Sequence, residues 1–126
     1  MLEKIRSNKE LIRFGKCLIV ALIFLGVFSM CSPLYYINVN KDTNCFFTVG
    51  RMMINGKTLY RDIYEQKGPV LYSIYDFAAI LSSTDYFGVF VMEVLLWALF
   101  LFFADKTLEL YESNSVLNLA LITLTI

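Results

Sequence analysis

The sequence predicts an all-α membrane protein, with transmembrane helices joined by an extracytoplasmic loop that carries juxtamembrane helices. Three observations predict it. Of the 126 residues, 58% are hydrophobic and 17% are charged, against about 45–50% and about 25% in soluble domains. The apolar residues are gathered into blocks, two of which approach the length needed to cross a bilayer. A cluster of cations precedes the first block, as it does at the cytoplasmic end of a membrane helix. The same composition excludes other classes. Such a chain has too much to bury to be disordered. Its 11 Lys and Arg balance 11 Asp and Glu, so there is no global basic field and no nucleic-acid partner is expected. With no His, a His-based triad, metal site or proton shuttle is absent.

Residues 1–16 form the basic cytoplasmic start, with Lys4, Arg6, Lys9, Arg13 and Lys16 against Glu3 and Glu10. Residues 17–37 are read as the first span. The unbroken run Cys17 to Cys31 is short, and the flank Ser32 to Ile37 brings it to about 20 residues, enough for about 30 Å of hydrocarbon. Tyr35 and Tyr36 suit the far interface. A cleaved signal peptide is the rival reading. It lacks its cleavage site, because no Ala-x-Ala follows and Met30 before Cys31 is a poor lipoprotein box.

Residues 38–85 are the extracytoplasmic loop. Asp42 is placed as a helix N-cap, with Phe46, Phe47, Val49, Met53 and Ile54 at near-helical spacing and Asn55-Gly56 as the stop. The result is a short amphipathic helix on the membrane surface. Asn55-Gly56 also fits a hairpin turn, but the flanking alternation is absent. The plainest role for Asp42 is the cap alone. From Lys57 to Pro69 come three cations, two carboxylates and two tyrosines, ordinarily a solvated loop with weak ion pairs. Gly68-Pro69 then starts a helix with Pro near its first turn. The run Val70 to Leu81 is too short to span and is read as a juxtamembrane helix presenting Asp76 to water.

Residues 86–104 form the second span, running from outside to inside, with Asp105-Lys106 as its polar exit into a cytoplasmic loop over 105–115. Residues 116–126 are apolar but too few to cross. They read as the start of a truncated third span, making the chain the N-terminal piece of a longer protein. Cys17, Cys31 and Cys45 have no Cys-x-x-Cys spacing and no His partner, so free packing thiols are expected and a metal site is disfavoured.

The loop carries Lys41, Arg51, Lys57, Arg61 and Lys67 outside, against the positive-inside rule. Either the topology is inverted or these cations bind an anion there. The denser N-terminal cluster favours anion binding.

The order of these features, a basic start and one span, then DTNCFFTVGRMMINGKTLYRDIYEQKGPVLYSIY, then FGVFVMEVLL, resembles the N-terminal part of the polytopic GT-C glycosyltransferases. The bacterial protein mannosyltransferase and lipid A aminoarabinose transferase group is the most similar. The resemblance covers about residues 10 to 110. It implies that Asp42 matches the catalytic acid opening the first external loop. Lys67, in Gln66-Lys67-Gly68-Pro69, matches a lysine that contacts the lipid phosphate. Arg51 and Arg61 fall in a pattern common to the bacterial subgroup and are second candidates for that phosphate. The chain departs from the pattern where Asp42 is followed by Thr43 and where Cys45 stands in the place some relatives give to Arg.

The implied activity transfers a sugar from a polyprenyl-phosphate donor to a cell-envelope acceptor at the outer face. Breaking the anomeric bond passes through an oxocarbenium-like state. A carboxylate takes the acceptor proton and fixed cations stabilise the leaving phosphate. No cofactor is implied, and a divalent metal has no support among the residues. Glu93, about 10 Å into the second span by helical rise, either faces the active-site cavity or pairs with a later helix. The alternative function is a small non-enzymatic membrane protein, such as a transporter subunit, an assembly partner or a lipid-binding module.

Overall fold

The computed structural model describes residues 2–35, 37–110, 118, 120, 122 and 123, with side chains from Asn8 onward. Among the described residues the chain is all-helical, with α1 over Leu2–Phe28, α2 over Lys41–Ile54, α3 over Pro69–Leu81 and α4 over Phe87–Leu108. Two stretches are long and apolar enough to cross a membrane, Asn8–Phe28 and Phe87–Leu108. The anticipated third block over 116–126 lies outside the described residues except at 118, 120, 122 and 123, which are helical. Tyr36 also lies outside them.

The first helix does not have the expected limits. It begins within the basic segment and stops at Phe28, well before Ile37. Pro33 disfavours helical geometry at Ser32, and the chain turns instead. Ser32 N–H donates to Ser29 O at 3.1 Å and Tyr35 N–H to Ser32 O at 3.0 Å. The helix end leaves carbonyls without intrahelical partners. Side chains from beyond the break meet two of them: Ser32 Oγ donates to Gly26 O at 2.7 Å and Tyr35 Oη to Val27 O at 2.5 Å. The candidate span runs Asn8–Phe28, so residues of the basic segment make up the length lost after Phe28.

α4 also outruns its expected end. Asp105 and Lys106, anticipated as a polar exit, are its last turn. They stay helical because they have partners. Two compact units divide the chain, residues 1–24 with 94–126, and Leu25–Glu93. In the first, α1 and α4 run antiparallel: Phe14 meets Phe102 edge-on, and Phe24 stacks on Trp97 with centroids 5.2 Å apart. Cys17, Ala21, Ala98 and Leu101 are buried within this unit. At the polar end Arg13 reaches Asp105 at 3.4 Å and Glu109 at 2.6 Å, and Lys106 reaches Glu10 at 3.1 Å.

The second unit is organised by α2 and α3. Gly50 lies directly against the backbone of Tyr75 and Asp76, so a Cβ there would collide with the Tyr75 carbonyl. That close approach lets Phe46 pack edge-on against both Tyr72 and Tyr75. Val49, Ile63 and Tyr72 form the small core, with Phe46, Met52, Met53 and Leu59 around it. α3 starts with Pro69 in its first turn and α2 stops at Asn55, followed by Gly56 at φ +82°. Both ends were legible. Asp76 differs from expectation. It is half-buried, and its Oδ1 is enclosed without a hydrogen-bond partner rather than turned to water.

Gly50→Ala is expected to lower stability by about 1–3 kcal/mol through overpacking, read as an earlier thermal unfolding midpoint in detergent micelles. Gly15→Ala, whose Cβ would meet nothing within 4 Å, is expected to be neutral or stabilising by up to ~1 kcal/mol.

Candidate functional site

The N-cap of α2 is Asn40, not Asp42. Its backbone is extended, and Asn40 Oδ1 accepts from Asp42 N–H at 3.0 Å and Thr43 N–H at 3.2 Å. Asn is at least as good a cap as Asp. Its position one residue before the helix meets the first orphan donors. The consequence is chemical: the Asp42 carboxylate is exposed in the first turn and makes no hydrogen bond or ion pair with a described residue.

The segment between α2 and α3 is not a slack loop. Thr58 N–H donates to Asp62 Oδ2 at 2.8 Å, Asp62 N–H returns to Thr58 O at 2.9 Å, and a single bridge pairs Leu59 with Ile63. Tyr60 sits at φ +64°, an uncommon conformation for a bulky residue. It is pinned from both ends. Its N–H donates to Ile63 O at 3.0 Å, and its hydroxyl donates to Lys67 O at 2.5 Å. Arg61 closes the turn from outside by a fork onto Asp62, with Nε at 3.0 Å and a terminal nitrogen at 2.8 Å. That guanidinium and the Thr58 backbone N–H hold the Asp62 carboxyl below its usual range.

Cys45 and Glu65 join this segment to the first turns of α2. The Cys45 thiol donates to Glu65 Oε2 at 3.3 Å. Glu65 also accepts the Gln66 N–H at 2.9 Å, and these bonds hold its carboxyl below the ordinary carboxylate pKa. The same contact, with Asp42 also near in charge, pushes the Cys45 thiol up. Asp42 precedes Cys45 by under one turn, and Lys67 follows Glu65 by two residues. Lys67 is exposed, and its ammonium makes no ion pair with a described residue. Arg51 lies at the other end of α2 over the Phe47 ring, 5.9 Å from its centroid.

Glu93 belongs to a different environment. Ser29 Oγ donates to Glu93 Oε2 at 2.5 Å, and Cys31 N–H donates to Ser29 Oγ at 3.1 Å. Asn38 Nδ2 donates to Cys31 Sγ at 3.1 Å. Burial, then the nearby Glu93 carboxylate, push the Cys31 thiol up to about 12. Glu93 is thus partnered by the break after α1, a contact that periodicity along α4 does not reveal.

The structure therefore sets Asp42 near Cys45 and Lys67 near Glu65, engages Arg61 with Asp62, and sets Glu93 among Ser29 and Cys31. Sequence reasoning missed Asn38, Asn40, Asn44, Cys45 and Glu65. The signal for Asn40 was its place two residues before Asp42, at capping distance. A separate cavity of about 590 Å³, bounded by residues 31–35 and 84–87, includes none of the candidate residues. No group of three or more Cys, Asp or Glu side chains able to hold a metal occurs among the described residues. Compared with known proteins, the chain matches no family model, no curated protein and no solved structure.

Two measurements check this geometry. Alkylation of Cys45 is expected to show an apparent pKa above that of a free thiol, because a carboxylate beside it opposes thiolate formation. Glu65→Gln should move that pKa down and speed alkylation near pH 8, while buried Cys17 and Cys31 stay slow. Asn40→Ala should cost about 1 kcal/mol of stability by removing the cap, whereas Asp42→Ala should not remove a cap at all.

Proposed function

We propose that the chain carries the first external segment of a GT-C membrane glycosyltransferase, a multi-pass protein with its N-terminus in the cytoplasm. The enzyme transfers a sugar from a polyprenyl-phosphate donor to a cell-envelope acceptor. The observation that supports this reading is the state of Asp42. The residue the resemblance marks as the base is the one whose carboxylate is exposed and relieved of capping by Asn40.

In the proposed step the Asp42 carboxylate takes the proton of the acceptor hydroxyl. The hydroxyl oxygen bonds to the anomeric carbon as the carbon–oxygen bond to the lipid phosphate breaks, and that bond's electron pair leaves on the phosphate. Lys67, with an uncommitted ammonium, stabilises the departing charge. Arg51 is the second candidate. Arg61 takes part only by exchanging or sharing Asp62, because its fork is already occupied. A second reading, a non-enzymatic membrane protein, is favoured by one fact: the cavity is not lined by Asp42 or Lys67.

Transfer of labelled sugar from a polyprenyl-phosphate donor, measured in membranes expressing the gene's whole reading frame, separates the two. Asp42→Asn is expected to cut transfer at least about 10²-fold with membrane insertion retained. Lys67→Ala is expected to weaken apparent donor affinity about tenfold at similar protein abundance. Near-normal transfer by Asp42→Asn would remove Asp42 from catalysis. A wild type with no transfer from any such donor would favour the non-enzymatic reading.

A further inference from the structure

The cavity bounded by residues 31–35 and 84–87 has a volume of about 590 Å³, within the range of small-ligand sites. It lies wholly within the Leu25–Glu93 unit and is separate from the Asp42 and Lys67 surface. Its chemistry is one-sided. Asp85 is its one charged lining residue, and no Lys or Arg lines it. Asp85 Oδ1 accepts from Ser82 Oγ at 2.7 Å and from Phe87 N–H at 2.9 Å. These bonds hold its carboxyl below the usual range, so it is ionised at neutral pH. Oδ2 has no such bond.

The hydroxyls in the lining have mostly committed their protons inside the fold. Tyr35 donates to Val27 O, Ser32 to Gly26 O, and Tyr86 to Asn44 Oδ1 at 2.6 Å. A hydroxyl that has given its one proton can only accept further bonds. Thr84 keeps a hydroxyl that turns either way. The lining thus offers acceptors, a carboxylate and the aromatic residues Tyr35, Tyr86 and Phe87. An anion finds no donor cation there. An ammonium group has three donors and no acceptor, and aromatic faces attract cations.

We propose that this cavity binds a primary ammonium group, with Asp85 as its counter-ion and Tyr35, Tyr86 and Phe87 as its aromatic wall. The ammonium comes either from a free small amine or from an amine-bearing lipid headgroup. The site stands on the cavity and its hydrogen bonds, not on the glycosyltransferase reading.

The test uses the full chain in phosphatidylcholine nanodiscs, with ethanolamine as the soluble probe and saturation-transfer NMR as the readout. Wild type is expected to transfer saturation to ethanolamine, with inorganic phosphate giving none. Asp85→Asn retains the oxygen that caps Phe87 and is expected to weaken the probe about tenfold, the scale of one charge-assisted hydrogen bond. Thr84→Lys, an exposed substitution that brings in a competing ammonium, is expected to abolish the signal. Asp76→Asn removes a carboxylate of the same unit outside the cavity and is expected to leave the signal unchanged. Discs containing phosphatidylethanolamine distinguish the sources. Loss of the ethanolamine signal there assigns the site to a lipid headgroup, and an unchanged signal assigns it to a free amine. No transfer in wild type, equal transfer in Asp85→Asn, or transfer lost equally in Asp76→Asn would overturn the proposal.

Discussion

The unit from Leu25 to Glu93 depends on one polar circuit that starts on α4 at Glu93 and ends at Tyr86, just before that helix. Glu93 accepts from Ser29, and Ser29 accepts from the Cys31 backbone. Cys31 accepts from Asn38, whose carbonyl accepts from Asn44 Nδ2 at 3.1 Å. Asn44 accepts from Tyr86, beside the start of α4. Asn38 Oδ1 also takes the Asn40 N–H at 2.9 Å, which sets the residue that caps α2. A connected network of this kind is worth more than its separate bonds, and a buried member left without a partner is costly. The circuit explains how a carboxylate is tolerated inside an apolar helix. It also ties the break after α1 to the cap of α2 and to the residue before α4.

How much of this was legible depends on whether the cause was local. Pro69 sets its own backbone, and Asn55-Gly56 supplies a residue that accepts positive φ, so both helix ends follow from neighbouring residues. The long apolar blocks likewise declare α1 and α4. The end of α1 was not legible from hydropathy, because Met30, Leu34 and Ile37 are as apolar as the helix before them. What ends it is Pro33 together with hydroxyls that reach back to Gly26 and Val27. The extension of α4 through Asp105 rests on Arg13, which is remote in sequence. A polar pair at a predicted boundary reads as an exit only when its partner is not yet known.

The candidate site shows the same division. Asp42 was singled out by its place in the loop, but its availability follows from Asn40 taking the cap. The resemblance alone ranks Lys67 ahead of Arg61 as a phosphate ligand. The fold separates them, since Arg61 closes the Thr58–Asp62 turn while the Lys67 ammonium makes no ion pair with a described residue. Glu65, unremarked in the sequence, contacts α2 and lies near Lys67 in charge. Exposed ion pairs contribute little to stability. The Arg61–Asp62 fork therefore matters for where it holds the backbone more than for the energy of the pair.

The balanced net charge of the chain resolves into two different kinds of neutrality. Where α1 meets the end of α4, Arg13 is in direct contact with Asp105 and Glu109, and Lys106 with Glu10. Such pairs fasten helices and leave no field to attract a ligand. In the Leu25–Glu93 unit Arg61 and Asp62 are paired, and several other charges stand apart. Arg51 rests on a ring, Lys67 is unpaired, and Asp42 and Asp85 each retain an unengaged carboxylate oxygen. Separated charges keep their capacity to bind, because no local partner has to be displaced. The α2–α3 segment carries both signs, whereas Asp85 is the one charged residue lining the cavity at the entry to α4.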